Sequence, residues 1–179
     1  KAKNYNESIK GGSPTIQDPF DETTKEKEGA GYISVLNLGQ TMAHLEVPKI
    51  GVNLPIYHGT GELVLQKGIG HIEGTSLPIG GLGTHTVLTA HRGLPSSRLF
   101  RDLDDLAIGD KFYIHNLEGT LSYMVDEINI VLPYEVEKLA IDSNEDFATL
   151  LTCDPYMINS HRLLVRGSRI PNESVEVAA

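Results

Sequence analysis

A thiol, an imidazole and a guanidinium stand out in this chain of 179 residues, because each sits where an apolar run begins or stops. Cys153, the single cysteine, closes Phe147-Ala148-Thr149-Leu150-Leu151-Thr152 and precedes the strand-stopping Asp154-Pro155-Tyr156. A residue at a strand end opens toward solvent or a cleft, whereas a cysteine is by default a small buried hydrophobe. His91 closes a second β-branched run, Thr86-Val87-Leu88-Thr89-Ala90, before the turn Arg92-Gly93-Leu94-Pro95. Two such ends brought together make a Cys–His site, in which a thiolate attacks and an imidazole stabilises it or shuttles protons. Taken alone, one of seven histidines at a strand end is an ordinary surface histidine. Arg162 opens the last apolar run, just after the loop from Cys153. In a hairpin it lies near the Cys153 end, where a fixed guanidinium could bind the oxyanion formed on attack at a carbonyl. Arg166 shares that strand face but lies about 13 Å further along, and Arg169 faces the other way. For each arginine the plain alternative is a solvated strand-end charge.

The elements that must position these groups are mostly strands. Leu45-Glu46-Val47-Pro48 and Val52–Tyr57 predict short strands around a Lys49-Ile50-Gly51 turn. Gly68 to Gly83 carries six glycines and a proline, and predicts loops and tight turns. Thr84–Ala90 predicts a buried strand. Ser96–Leu106 predicts a short helix, with Ser96 or Ser97 as cap and Leu99, Leu103 and Leu106 on one face. Lys111–His115 and Leu121–Leu132 predict strands, and a short helical stretch then leads into a polar loop, Ile141–Asp146. Phe147–Cys153 and His161–Ile170 predict the last two strands. Many short strands with glycine-rich turns point to a mainly β, closed or nearly closed barrel.

Residues 1–40 differ from the rest and are expected to form an arm, with 41–179 as the barrel domain. Lys1–Glu28 is polar, broken at Gly11-Gly12-Ser13-Pro14 and charged from Asp21 to Glu28. Within it Asp18-Pro19-Phe20 strands an aromatic that needs cover, so the arm is expected to be mobile with one anchored point.

Composition excludes more than it proves. The formal net charge is −9 and Trp is absent. Neither a phosphate backbone nor an anionic membrane surface suits such a chain, so nucleic acid is not expected as a partner. A lone cysteine rules out a disulfide within the chain. His85 and His91 lack the helical HExxH setting of a metal site, and no Walker or dinucleotide glycine loop is present. No run approaches the ~18–20 apolar residues of a membrane span. The chain opens on Lys, so it reads as a mature or trimmed fragment whose targeting segments lie elsewhere.

Thr149-Leu150-Leu151-Thr152-Cys153 resembles the sortase signature TLxTC, which ends in the nucleophilic cysteine. Thr89-Ala90-His91-Arg92-Gly93 and His161-Arg162-Leu163-Leu164-Val165 resemble the segments holding the sortase histidine and arginine. The likeness runs in matching order from about Met42 to Ile170 and takes in Glu46-Val47-Pro48-Lys49-Ile50, Leu54-Pro55-Ile56-Tyr57-His58-Gly59 and Gly74-Thr75-Ser76-Leu77-Pro78. Asp18-Pro19-Phe20 resembles the lid motif of class C, pilus-building sortases, in which the aspartate contacts the catalytic arginine and the aromatic covers the cysteine. Asp154 departs from the pattern, where Thr is expected; a carboxylate there disfavours the thiolate unless it points away.

The resemblance implies an eight-stranded sortase β-barrel with short helices and an N-terminal lid of Asp18, Pro19 and Phe20. It implies Cys153, His91 and Arg162 as catalytic residues, no cofactor and no metal. The reaction implied is cleavage of an LPxTG-like sorting signal through a thioester, then transfer to a lysine of another pilin subunit at the outer face of a Gram-positive cell membrane. Leu132–Asp146 is the expected groove wall. The rivals are a housekeeping sortase anchoring proteins to peptidoglycan, a cysteine hydrolase, and a non-enzymatic barrel with an inert Cys153.

Overall fold

The computed structural model describes residues 2–10, 16–20, 41–94 and 97–172. Eight strands close into one barrel: β1 (Thr41–Val47), β2 (Val52–His58), β3 (Ile69–His71), β4 (Thr84–Thr89), β5 (Lys111–Asn116), β6 (Gly119–Val131), β7 (Asp146–Asp154) and β8 (His161–Ile170). Their order around the wall is β1-β2-β3-β4-β7-β8-β6-β5. The β2–β3 and β4–β7 pairs are parallel and the other pairs antiparallel.

The apolar runs of β4 and β7 do not alternate, and the reason is that both faces are covered. All six residues of β4 are buried, as are all of β7 save Asp154. Inside the barrel Leu88, Ala90, Ala148, Leu150, Leu163 and Val165 join the main core. On the outside Val87, Leu151 and Leu164 join a second cluster with Ile72 and Leu139, against which Val131, Val136, Ile16 and Phe20 pack. A wall apolar on both faces reads as a continuous run. Successive strand residues alternate between these two environments, so residue parity decides which side chains reach the outer face.

The glycine-rich stretch holds a strand the sequence reading missed. β3 is three residues long and closes the wall between β2 and β4. A Cβ on Gly70 would stand 2.5 Å from the Gly59 carbonyl oxygen, so only glycine admits this approach. Inside the barrel Gly167 plays a like part, since a Cβ there would meet the Phe112 ring at 2.6 Å. That ring stacks on Tyr123 with centroids 5.5 Å apart.

The helix expected over Ser96–Leu106 is not there; Pro95 and Ser96 lie outside the described residues. Leu99 takes φ +45°, in the left-handed region, which interrupts a helix. The chain instead turns through i−3 hydrogen bonds, Arg101 N–H to Arg98 O and Leu103 N–H to Phe100 O, into a 3₁₀ turn at Leu103–Asp105. Leu99, Phe100, Leu103 and Leu106 still enter the core. The periodicity therefore identified the buried side chains but not the backbone that delivers them.

The N-terminal arm is also held more firmly than one anchor allows. Ala2–Lys10 forms helix α1, and its buried Asn6 exchanges two hydrogen bonds with the Leu77 backbone: Nδ2 donates to the carbonyl at 3.3 Å and Oδ1 accepts from the amide at 2.6 Å. The Gly11–Pro14 break and the Asp21–Glu28 charge run lie outside the described residues. A second short helix, α2 (Glu62–Lys67), precedes β3. Among the described residues no helix is long and apolar enough to cross a membrane.

Candidate active site

The β7–β8 hairpin sets Cys153 directly opposite Arg162. A directly opposed antiparallel pair projects its side chains from the same face. That face is the outer one, because Leu151 and Leu164, two residues before and after, form the next pair and belong to the outer cluster. In the parallel β4–β7 ladder Thr89 stands opposite Leu151. His91 follows two residues after Thr89, as Cys153 follows Leu151, so the two strand ends bring imidazole and thiol to the same side. Arg166 stands opposite Thr149, one further pair down, and is taken up by Asp126 at 2.9 and 3.0 Å and by Glu127 at 2.8 Å. Arg169 pairs with Asp146 at 3.1 Å. Of the three β8 arginines, Arg162 is the one next to the thiol.

The threonines of the two runs lock the strands that carry the site. Thr89 Oγ1 donates to the Leu151 carbonyl at 2.9 Å, and Thr152 Oγ1 donates to the Ala90 carbonyl at 2.8 Å. Thr149 Oγ1 lies 2.6 Å from His85 Nε2. Small β-branched side chains with a hydroxyl fit a pleated wall and add cross-strand bonds that Val or Ile would lack.

Residues 16–20 lie across this face. Asp18 grips Arg162 with both oxygens, accepting from Nε at 2.8 Å and from Nη2 at 2.9 Å. Both side chains are 9% exposed. Arg162 Nη1 donates to the carbonyls of Asn159 and His161, each at 2.9 Å. The Phe20 ring lies 5.5 Å from the His91 ring and 5.3 Å from the Arg162 guanidinium carbon. Between residues 17–19 and Val131, Leu151, Arg162 and Leu164 the remaining cavity is about 10 Å³, room for no more than one water. His91 Nε2 stands 3.9 Å from Glu62 Oε1 at the start of α2.

Electrostatics follow from this cover. Burial pushes the Cys153 thiol up to about 11, and Asp18 adds to the rise, while Arg162 and Arg92 oppose it. Desolvation penalises the charged form, and here it outweighs two nearby cations. With residues 16–20 in place Cys153 is therefore a thiol at neutral pH. Asp154 is not left bare beside it: its Oδ1 accepts from Arg92 Nη1 at 3.1 Å.

Arg92, Glu62 and Ile16 received no role from the sequence reading. For Arg92 a signal was present, since an acid next to a candidate nucleophile calls for a compensating cation and Arg92 adjoins His91. For Glu62 and Ile16 none was: Glu62 meets His91 from 29 positions away, and Ile16 packs against the outer cluster of Ile72, Val87, Leu139, Leu151 and Leu164, and neither contact leaves a spacing pattern. Among the described residues no group of three or more His, Cys, Asp or Glu could hold a metal ion.

Comparison with known proteins adds independent findings. The family model described as "Sortase domain" matches residues 45–170. Sortase D of Bacillus subtilis is 28% identical over 135 residues, covering 74% of this chain and 65% of the relative. Sortase A of Streptococcus agalactiae is 30% identical over 154 residues, covering 76% of this chain and 62% of the relative. The chain thus spans a little under two thirds of the length of these curated relatives. Among solved structures, sortase C1 of Streptococcus agalactiae in complex with MTSET is 48% identical with a TM-score of 0.86, covering 95% of this chain and 84% of that one. Sortase C-1 of Streptococcus pneumoniae is 50% identical with a TM-score of 0.87, covering 95% and 86%. Sortase C2 of Group B Streptococcus Pilus Island 1 is 49% identical with a TM-score of 0.83, covering 95% and 96%.

Proposed function

This chain belongs to the sortase family, with solved relatives among the streptococcal sortase C enzymes, and we propose that it is a pilus-assembling cysteine transpeptidase. The observation that carries the reading is the pairing of Cys153 with Arg162 across β7–β8, under an Asp18 that occupies the guanidinium. A site built for anion binding is filled by the chain's own carboxylate, and a substrate oxygen would take that place when residues 16–20 leave.

The chemistry then proceeds in two transfers. The Cys153 thiolate attacks the Thr–Gly carbonyl carbon of an LPxTG-like sorting signal, and Arg162 donates to the oxyanion. The C–N bond breaks as His91 gives its proton to the leaving amine, which leaves a Cys153 thioester. A lysine amine of a second pilin subunit attacks that thioester and loses a proton, and the C–S bond breaks to return the thiol. The product is an isopeptide bond, and no redox partner or cofactor enters the balance. Asp18, Pro19 and Phe20 act as a lid in this reading, and Leu132 to Asp146 forms a wall of the groove. The site of action is the outer face of a Gram-positive cell membrane.

The test is incubation of the protein with purified pilin subunits that carry a sorting signal and surface lysines. Covalent ladders on a denaturing gel are expected. Cleaved signal with no ladder, even with added amine, would make the protein a hydrolase instead.

A further inference from the structure

The His91 and Cys153 strand ends run past the last rung of the ladder that joins them. Thr89 opposite Leu151 is the final β4–β7 pair. Beyond it the backbone link is a long one, Ala90 N–H to Leu151 O at 3.4 Å. One residue after His91, the Arg92 side chain takes over. The side chain is 7% exposed and meets two segments. Nη1 donates to the Cys153 carbonyl at 2.8 Å and to Asp154 Oδ1 at 3.1 Å. Nε donates to the Arg101 carbonyl at 3.0 Å, and Nη2 pairs with Asp104 Oδ1 at 3.0 Å.

We propose that Arg92 is a positioning residue: it holds the His91 and Cys153 strand ends in register and neutralises Asp154 beside the nucleophile. This rests on Cys153 being the nucleophile. A planar guanidinium offers donors in a rigid fork, so one side chain can satisfy the Cys153 and Arg101 carbonyls and a carboxylate together. Phe100 N–H donates to the His91 carbonyl at 3.1 Å, so the His91–Arg92 peptide is tied to the same 98–105 segment, while the Ala90 carbonyl on the other side of His91 accepts from Thr152 Oγ1 at 2.8 Å. The imidazole is thereby fixed from both sides relative to Cys153.

The charged and titratable groups around Cys153 are Arg162 across β8, Asp18 from residues 16–20, His91 and Arg92 just beyond β4, and Asp154 at its own strand end. Glu62 of α2 stands behind His91 at 3.9 Å, and His161 lies opposite Asp154 on β8. Asp18 is matched to Arg162. Asp154, 17% exposed, is matched to Arg92. Asp104 is 57% exposed, so its pairing with Arg92 is screened and contributes little. The Arg92–Asp154 pair is the balance that stays in place when residues 16–20 move.

The test is the pH profile of Cys153 alkylation by a small reagent, alongside peptide turnover. Arg92→Gln should raise the alkylation midpoint by about one pH unit, near tenfold slower labelling below it. Asp154→Asn added to Arg92→Gln should return the midpoint, while kcat stays depressed because the bridge to the Cys153 carbonyl is still lost. Asp154→Asn alone should lower the midpoint, since Arg92 then acts on the thiol unopposed. Arg92→Lys should keep the midpoint near the parent's but lose kcat, with KM little changed. Midpoints that coincide in parent, Arg92→Gln and Asp154→Asn would overturn the proposal, as would an Arg92→Gln shift that Asp154→Asn does not reverse. If Arg92→Gln does not fold, Asp154→Asn decides by itself: an unchanged or raised midpoint overturns the charge balance. Failure of Cys153 as nucleophile would show separately, as turnover surviving in Cys153→Ala.

Discussion

Asp18 and Arg162 meet edge to edge across 144 positions of sequence, with Nε to Oδ1 at 2.8 Å and Nη2 to Oδ2 at 2.9 Å. Both are nearly buried, so solvent screens the pair little, and the loss of one partner leaves a costly bare charge. In the proposed mechanism the pair makes access to Arg162 a competition between an internal carboxylate and an incoming carbonyl.

Cys153→Ala should remove all thioester trapping and all ladder formation. Ala keeps the small apolar volume of a 6%-exposed side chain, so the thermal midpoint should stay close to the parent's. Mass spectrometry of the variant after exposure to a sorting peptide decides; any covalent adduct contradicts the assignment.

Arg162→Ala should slow turnover on the order of 10²-fold or more, as loss of an oxyanion donor does. Arg162→Lys should recover part of this at best, since an ammonium lacks the planar fork. Arg166→Ala should instead act on stability, because its partners are Asp126, Glu127 and the face of Phe147. Steady-state kinetics with a sorting peptide would separate the two, and the opposite ranking would mean that the arginines are misassigned.

The double variant Asp18→Ala, Phe20→Ala should open the site. Burial is the first cause of the raised Cys153 pKa and Asp18 a further one, so removing both lowers it from about 11 toward the ordinary thiol range. Alkylation at pH 7.5 should speed up, and short sorting peptides should be cleaved at least as fast as by the parent. Losing the Phe20 contacts costs about 1.5–3 kcal/mol, a fall in thermal midpoint of roughly 3–10 °C. Labelling kinetics identical to the parent's would show that residues 16–20 are no lid.

Acid should destabilise the barrel through its buried histidines. Burial lowers both His71 and His85 from 6.5 to about 4. Their neutral rings are held by Ser76 O and Thr75 Oγ1, and by Ala140 O and Thr149 Oγ1. Between pH 6.5 and 4 the unfolded chain binds protons that the folded chain refuses, so stability is full above 6.5 and falls as pH drops through this window. Each shift is worth up to about 3 kcal/mol. Urea midpoints at pH 7.5, 6, 5 and 4.5 should decline steadily; a flat series down to pH 4.5 would contradict this burial.

Much of this protein was legible in its residues alone. The β-branched runs ending in His91 and Cys153, and the apolar run opened by Arg162, mark strands by local preference and mark the site by where they stop. The spacing of Cys153 and Arg162 suffices for a hairpin, so their juxtaposition needed no long-range information. A strand such as β3 was hidden, because Ile69-Gly70-His71 has no strand preference of its own and forms only between β2 and β4. The 98–105 segment went the same way: its leucines announce burial, but the backbone path is chosen by the barrel end it must fill. That Asp18 meets Arg162 was legible only through the resemblance of Asp18-Pro19-Phe20 to the class C lid; which face the site occupies, the two-oxygen grip of Asp18 on Arg162 and the pairing of Arg92 with Asp154 were decided by tertiary structure. The two pairings join segments 62 and 144 positions apart, which carry no periodicity and take their geometry from the closed wall.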